Sequence, residues 1–350
     1  MEKSKKWCIG IVASLLLILI LFATPIIVID PFLQYHTPIF GLDSAFTRST
    51  QAYINPGMAK NYNYNSVLIG SSVIENFHIS QIDEEFHVHS VKLPFAGGSV
   101  MNYYMILETA YNSHNNIDTI FFSVDIFGLL YDAQTPRNTP VPEYLYNKNP
   151  FDDVSYILNK DVYYYVFQML YENINNLTRD IDSAYNWEQH YDFSQERVLS
   201  LYNRSPQSDT ELPKNYYYSS IDASVDKFSE FIIEHPETRY IVFFPPYSII
   251  QWDDYIRLGQ IDAVCEGYRY AMEKWLQYGN VEIYSFMNCP EIITDLNNYR
   301  EMMHFSERIN AYMISEMANG NNRITKENLN KKMEEFYNYI QNFDYSVYFD

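Results

Sequence analysis

The chain has 350 residues, with 44 acidic and 24 basic side chains and a formal charge of −20. That balance excludes the basic surface a nucleic-acid partner needs, and no basic patch occurs along the sequence. Apolar residues make up 47%, which excludes a disordered chain and leaves ample material for a core.

Lys3, Lys5 and Lys6 precede an uncharged run from Trp7 to Ile29. A helix of that length crosses a hydrocarbon core. A secretory signal peptide has the same order of basic and apolar regions, but this run is longer than a usual signal core and no small-x-small site follows it. Residues 7–29 therefore read as an uncleaved single-pass anchor in the cell membrane. Residues 1–6 are then a cytoplasmic tail, and the chain from Asp30 onward faces outward. Cleavage near residue 24, giving a secreted protein, is the competing outcome.

Residues 30–64, with Pro31, Pro38 and Pro56, read as an irregular linker. After them a βα rhythm begins. "SVLIG" (66–70) is a buried strand, "ISQIDEEF" (79–86) a helix, and "VHSVKLPFAGG" (88–98) a strand ending in a Gly-Gly turn. Residues 99–114 have helical spacing, and "IDTIFFSVDIFGL" (117–129) starts as a third strand. Residues 130–220 break the rhythm and read as a helical insertion or lid. It resumes with a helix over 224–236, a strand in "TRYIVFFPPYS" (238–248), a long helix over 254–278 and a strand in "NVEIYSFMN" (280–288). A closing helix over 306–320 ends at Gly320, and 321–350 form a tail whose stretch 323–343 is an amphipathic helix. Strands alternating with helices imply an α/β domain over 65–320, with a parallel sheet covered on both faces. Ligands of such sheets sit beyond the carboxyl ends of the strands.

That edge collects a chemical set. Ser71 and Ser72 follow the first strand, and Ser72 is placed as a nucleophile. His304 precedes the closing helix and supplies the base, with Glu301 three residues upstream to orient it and Asp295 as substitute. Backbone N–H groups of Ser72 and of Gly97 or Gly98 form a candidate oxyanion hole. Taken alone, Ser71 and Ser72 read equally as turn or capping residues. His78, His87, His89, His114, His190 and His235 read as structural, and the tyrosine runs at 163–165 and 216–218 as packing. Of the three cysteines, Cys8 lies in the apolar run, while Cys265 and Cys289 are open to pairing. The absence of a CxxC or Cys/His cluster leaves no metal or cofactor expected.

The order of these blocks resembles the SGNH/GDSL hydrolase superfamily. It is most similar to the membrane-anchored branch that includes relatives of the teichoic acid D-alanyl transfer protein and of alginate O-acetylation proteins. "LIGSS" matches the nucleophile block, "LPFAGGS" (93–99) the oxyanion glycine block, and Glu301-Met-Met-His304 the final Asp-x-x-His block. "FFPPYS" (243–248) is similar to the fourth-strand edge. The likeness covers about residues 60–320. It departs in two places. "SVDIFGL" (123–129) stands where Gly-x-Asn-Asp is expected, leaving Asn102 or Asp125 as auxiliary groups, and glutamate replaces aspartate at 301. The resemblance implies a three-layer αβα, flavodoxin-like domain. It further implies a serine O-acyltransferase or esterase acting on a cell-envelope glycan, with a multi-spanning membrane acyltransferase as partner. An inactive scaffold of the same fold in a polysaccharide-modification complex is the rival expectation.

Overall fold

The computed structural model describes residues 2–113, 116–137 and 141–349. His114 lies outside these. Among the described residues, six strands form one sheet in the order β2-β1-β3-β4-β5-β6. They are β1 (Ser66–Gly70), β2 (Ser90–Pro94), β3 (Thr119–Ser123), β4 (Arg239–Phe244), β5 (Val281–Ser285) and β6 (Arg323–Ile324). The first five pair in parallel, while β6 pairs antiparallel to β5. The sheet is therefore mixed rather than parallel throughout. The expected helix over 323–343 begins only at Leu329, because Arg323 and Ile324 pair with Tyr284 and Ile283. Every residue of β1, β2 and β3 is buried. A parallel sheet covered on both faces requires this, and it explains the continuous apolar runs.

The longer helices among the described residues are α1 (Glu2–Ile29), α2 (Gln51–Asn61), α3 (Ile79–Phe86), α4 (Val100–Tyr111), α5 (Lys160–Ile174), α6 (Tyr218–Glu234), α7 (Ile249–Arg257), α8 (Ile261–Trp275), α9 (Glu307–Ala318) and α10 (Leu329–Asn342), besides a short helix over Gln195–Leu201 and single turns. Helix α6 packs between α4 and α8, and α10 lies against α8; α3 and α9 pack together separately. The expected long helix over 254–278 is two helices. Gly259, at φ +66°, breaks it, and its carbonyl accepts from the Leu212 N–H at 2.8 Å.

Among the described residues, α1 is the one helix long and apolar enough to cross a membrane. At its end the buried Asp30 carboxylate accepts from the backbone N–H groups of Gln34, Tyr35 and His36 and from the Tyr156 hydroxyl. Burial pushes the Asp30 pKa up, against those hydrogen bonds.

The segment 30–64 is not an irregular linker, since α2 occupies its second half. Pro56 sits inside that helix and removes a donor for the Ala52 carbonyl. The Tyr146 hydroxyl donates to that carbonyl instead, at 2.9 Å. Gly57 lets the helix touch the preceding turn: a Cβ there would lie 2.2 Å from the Phe32 carbonyl oxygen and 2.4 Å from that of Leu33. The Pro-Gly pair that reads as a breaker is thus a site of close packing. Gly57→Ala is expected to lower the thermal midpoint by the equivalent of about 1–3 kcal/mol. An unchanged midpoint would show that α2 does not press on residues 32–33.

Candidate active site

Ser72 and His304 lie 232 residues apart in the chain, and Ser72 Oγ is 2.7 Å from His304 Nε2. The other ring nitrogen, Nδ1, hydrogen-bonds Glu301 Oε1, which also accepts from the His304 backbone N–H at 2.7 Å. One carboxylate oxygen therefore fixes both the loop and the ring. Ser72 is half-buried, at the first turn beyond β1.

The local chain explains how His304 reaches β1. Tyr299 and Phe305 form a β-bridge, and the Arg300 N–H donates to the His304 carbonyl at 3.0 Å, so residues 300–304 make a closed loop. The loop beyond β4 grips it. Ser248 donates to the Met302 carbonyl from both its backbone N–H (3.0 Å) and its hydroxyl (2.7 Å). The Tyr299 hydroxyl donates to the Pro246 carbonyl at 2.7 Å.

Burial raises the Glu301 carboxyl, but hydrogen bonds and charge from His304, helped by Arg300, outweigh it and leave the pKa below the ordinary carboxylate value. Asp125 behaves oppositely. It is buried under the site, and burial holds its pKa up, although Ser71, the Tyr247 hydroxyl and the His304 charge oppose this. Tyr247 donates to its Oδ1. Asp125 thus lies close enough to His304 to feel its charge, while Glu301 makes the hydrogen bond.

Other sequence candidates sit elsewhere. Asp295 caps the 296–298 turn through the Asn297 N–H at 3.1 Å, with no contact to His304 among the described hydrogen bonds. Asn102 is engaged at both ends of its amide. Its Oδ1 accepts from Ser99 N–H (2.9 Å) and Arg137 N–H (2.8 Å), and its Nδ2 donates to the Arg137 carbonyl at 3.0 Å. It closes a capping box at the start of α4 and is not aimed at an oxyanion. The Gly98 N–H donates to Phe95 O at 2.9 Å. Gly97, at φ +64°, and Ser72 have no such partner for their amides among the described hydrogen bonds, so of the three only the Gly98 amide is taken up.

Other described histidines sit elsewhere: His36 meets the Thr37 and Ile27 carbonyls, His78 pairs with Asp182, His89 with Asp83, and His190 with Arg179, while His235 stacks on Tyr111 and His87 ends α3 at φ +55°. Cys265 and Cys289 are separate, buried free thiols. Among the described residues no cluster of His, Cys, Asp or Glu is placed to hold a metal.

Several participants escaped the sequence reading. The Glu75 carboxylate, fully buried, accepts from Arg48 and from Gln51 Nε2 at 2.7 Å; Gln51 Oε1 accepts from the Ala96 N–H at 2.9 Å. This chain ties the Ser72 turn to the glycine turn through α2. Lys92 on β2 is fully buried, and its ammonium donates to the Glu75 and Phe77 carbonyls at 2.7 and 2.6 Å. Trp187, from the insertion, stands edge-on to the His304 ring at 5.6 Å, and Arg300 lies over both Trp187 and Tyr191. A cleft of about 500 Å³ opens here, lined in part by Arg48, Arg179, Trp187, Tyr191 and Arg300. No local pattern marks these residues. They become a group only when the insertion and α2 fold against the sheet edge.

No family model and no curated protein matches the chain. Among solved structures, a Streptococcus pneumonia protein provisionally named a platelet activating factor aligns over 77% of this chain and 90% of its own. It does so at 13% identity and a TM-score of 0.38, a likeness from which neither family nor activity follows.

Burial lowers the Lys92 pKa to about 7. The unfolded chain therefore binds more protons than the folded one from about pH 7 up to the ordinary lysine value, and stability gains with pH across that window. The stability of the native chain relative to Lys92→Met should rise between pH 7 and 9.5 in paired thermal melts. A pH-independent difference would mean that Lys92 is not held in this way.

Proposed function

We propose that this chain is a membrane-anchored serine acyltransferase or esterase of the SGNH/GDSL type, acting on a cell-envelope glycan through an acyl-serine. The observation that carries this reading is the relay Ser72 Oγ to His304 Nε2 at 2.7 Å, with Glu301 on Nδ1. The β2-β1-β3-β4-β5 order supports it, since open α/β sheets with this strand order bind ligands at the switch point between β1 and β3, and Ser72 follows β1.

In this mechanism His304 Nε2 accepts the Ser72 proton as Oγ attacks the acyl carbonyl. Glu301 holds the imidazole with its proton on Nδ1 and stabilises the cation that forms. The tetrahedral oxyanion lies against the Ser72 and Gly97 amides, where each donor is worth about 10²–10³ in rate. His304 returns the proton to the departing oxygen, leaving the acyl group on Ser72. A sugar hydroxyl or water, deprotonated by His304, then attacks the acyl carbonyl, and the bond to Ser72 Oγ breaks as His304 returns the proton to it. Transfer and hydrolysis share these residues and differ in water access. The length and apolar composition of α1 support a reaction at a membrane surface, where a multi-spanning acyl donor protein would be the partner. Trp187, Tyr191 and the arginines offer stacking and charge to a sugar acceptor in the adjoining cleft.

A fluorophosphonate probe read by intact mass should add one label to the native chain and none to Ser72→Ala. Glu301→Gln should slow labelling by about 10⁴-fold, the order of loss expected when the carboxylate no longer holds the histidine in its working tautomer. Equal labelling of Ser72→Ala would remove Ser72 as nucleophile. An unlabelled native chain, folded by circular dichroism, would favour the non-catalytic scaffold.

A further inference from the structure

Helix α5 is apolar on two faces. Val162, Val166 and Met169 are buried against the domain. On the outer face, every exposed residue from Val162 to Ile174 is aromatic or aliphatic: Tyr164, Phe167, Tyr171 and Ile174. Their i, i+3, i+7, i+10 spacing puts them on one stripe. The preceding turns, separated from that stripe by the non-helical Asn159 and by the exposed Lys160 and Asp161, add Phe151, Val154 and Leu158 as further exposed apolar side chains. These side chains are not marginally exposed: Phe151 stands at 88%, Phe167 at 68% and Ile174 at 80%. An apolar strip of this kind on a water-facing surface marks a contact site.

The position of the strip identifies what covers it. Helix α5 packs on α1. The Tyr163 hydroxyl donates to the Phe22 carbonyl, and the two rings meet edge-on at 6.2 Å. Phe22 lies about 10 Å inside the Ile29 end of α1 at the ordinary helical rise. Where α1 crosses a bilayer, its neighbour α5 is therefore level with the acyl chains and headgroups, not above them. The tyrosines suit that depth, since aromatic side chains favour the membrane interface. Exposed Lys148 and Lys160 flank the first apolar turns, and their long stems reach toward headgroups.

We infer that residues 151–177 form an in-plane membrane element, with the Phe151, Val154, Leu158, Tyr164, Phe167, Tyr171 and Ile174 side chains seated in the leaflet on the domain's side. The occupant is lipid, because α5 packs on α1 and its outer stripe from Tyr164 to Ile174 adjoins the exposed apolar surface of α1, with the exposed Lys160 and Asp161 confined to its first turn. The inference rests on α1 spanning a bilayer and is independent of the Ser72 chemistry. The anchor and this element together give the domain two attachments to the membrane and restrict its tilt. Trp187 and Tyr191 belong to the same insertion, so the cleft beside His304 is held at a set height above the lipid.

Site-directed spin labelling of the full chain in vesicles of phosphatidylcholine and phosphatidylglycerol tests this. In a Cys8→Ser background, nitroxides are placed singly at Leu16→Cys, Phe167→Cys, Ile174→Cys and, as water reference, Glu237→Cys. Expected is high oxygen and low nickel-chelate accessibility at 16, 167 and 174, against the reverse at 237. Lipid exposure at 16 with water exposure at 167 and 174 overturns the inference and leaves the anchor standing; a protein partner would then be the cover. Water exposure at 16 overturns the anchor reading and this inference together, without touching the relay.

Discussion

The contact between Ser72 and His304 is the constraint around which the domain is arranged. Its two residues come from opposite ends of the α/β unit and meet only because β1 lies inside the sheet and the chain beyond β5 travels back along the same edge. That return path is not free. The Tyr299–Phe305 bridge closes the loop, Ser248 holds Met302, and Tyr299 holds Pro246, so His304 is delivered by a loop fastened to the neighbouring strand end. The Ser72 turn is fastened by Lys92 at the Glu75 carbonyl and by Gln51 at the Glu75 carboxylate. Such supports hold reacting groups near productive geometry, where a displacement of about 1 Å is costly.

The support comes from segments whose local patterns hide it. Strands β1 to β5 and helices α3, α4 and α9 were legible because buried strands and amphipathic helices leave runs and periods in the chain. Ser72, His304 and Glu301 were legible because each stands at a predictable strand or helix end. Helix α2 was not, since Pro56 and Gly57 signal a break. Their compensation, a tyrosine hydroxyl from residue 146 and a tight contact with residues 32–33, is long-range. Strand β6 is too short to carry a period, and the split at Gly259 depends on a contact with residue 212. Asp295 and Asn102 looked like spare acid and donor, yet each is taken up by local capping. Aspartate and asparagine make such bonds so readily that only geometry separates the two uses.

Residues 130–220 do more than interrupt the sheet. The insertion supplies Trp187 and Tyr191 to the candidate site, Tyr156 to the Asp30 joint, and α5 to the flank of α1. One excursion thus links the end of the apolar helix to the wall of the cleft. The buried Asp30 carboxylate, with four donors, is the rigid point of that linkage.

The union of Ser72 and His304 in one acid–base unit is most directly tested by trapping the covalent step. The full chain in vesicles is incubated with an activated acetyl ester, quenched in acid and mapped by tandem mass spectrometry. Acetylation should appear on the peptide holding Ser72 and be lost in His304→Ala. Acetyl on another residue, or native-rate acetylation of Ser72 without His304, would contradict the assignment.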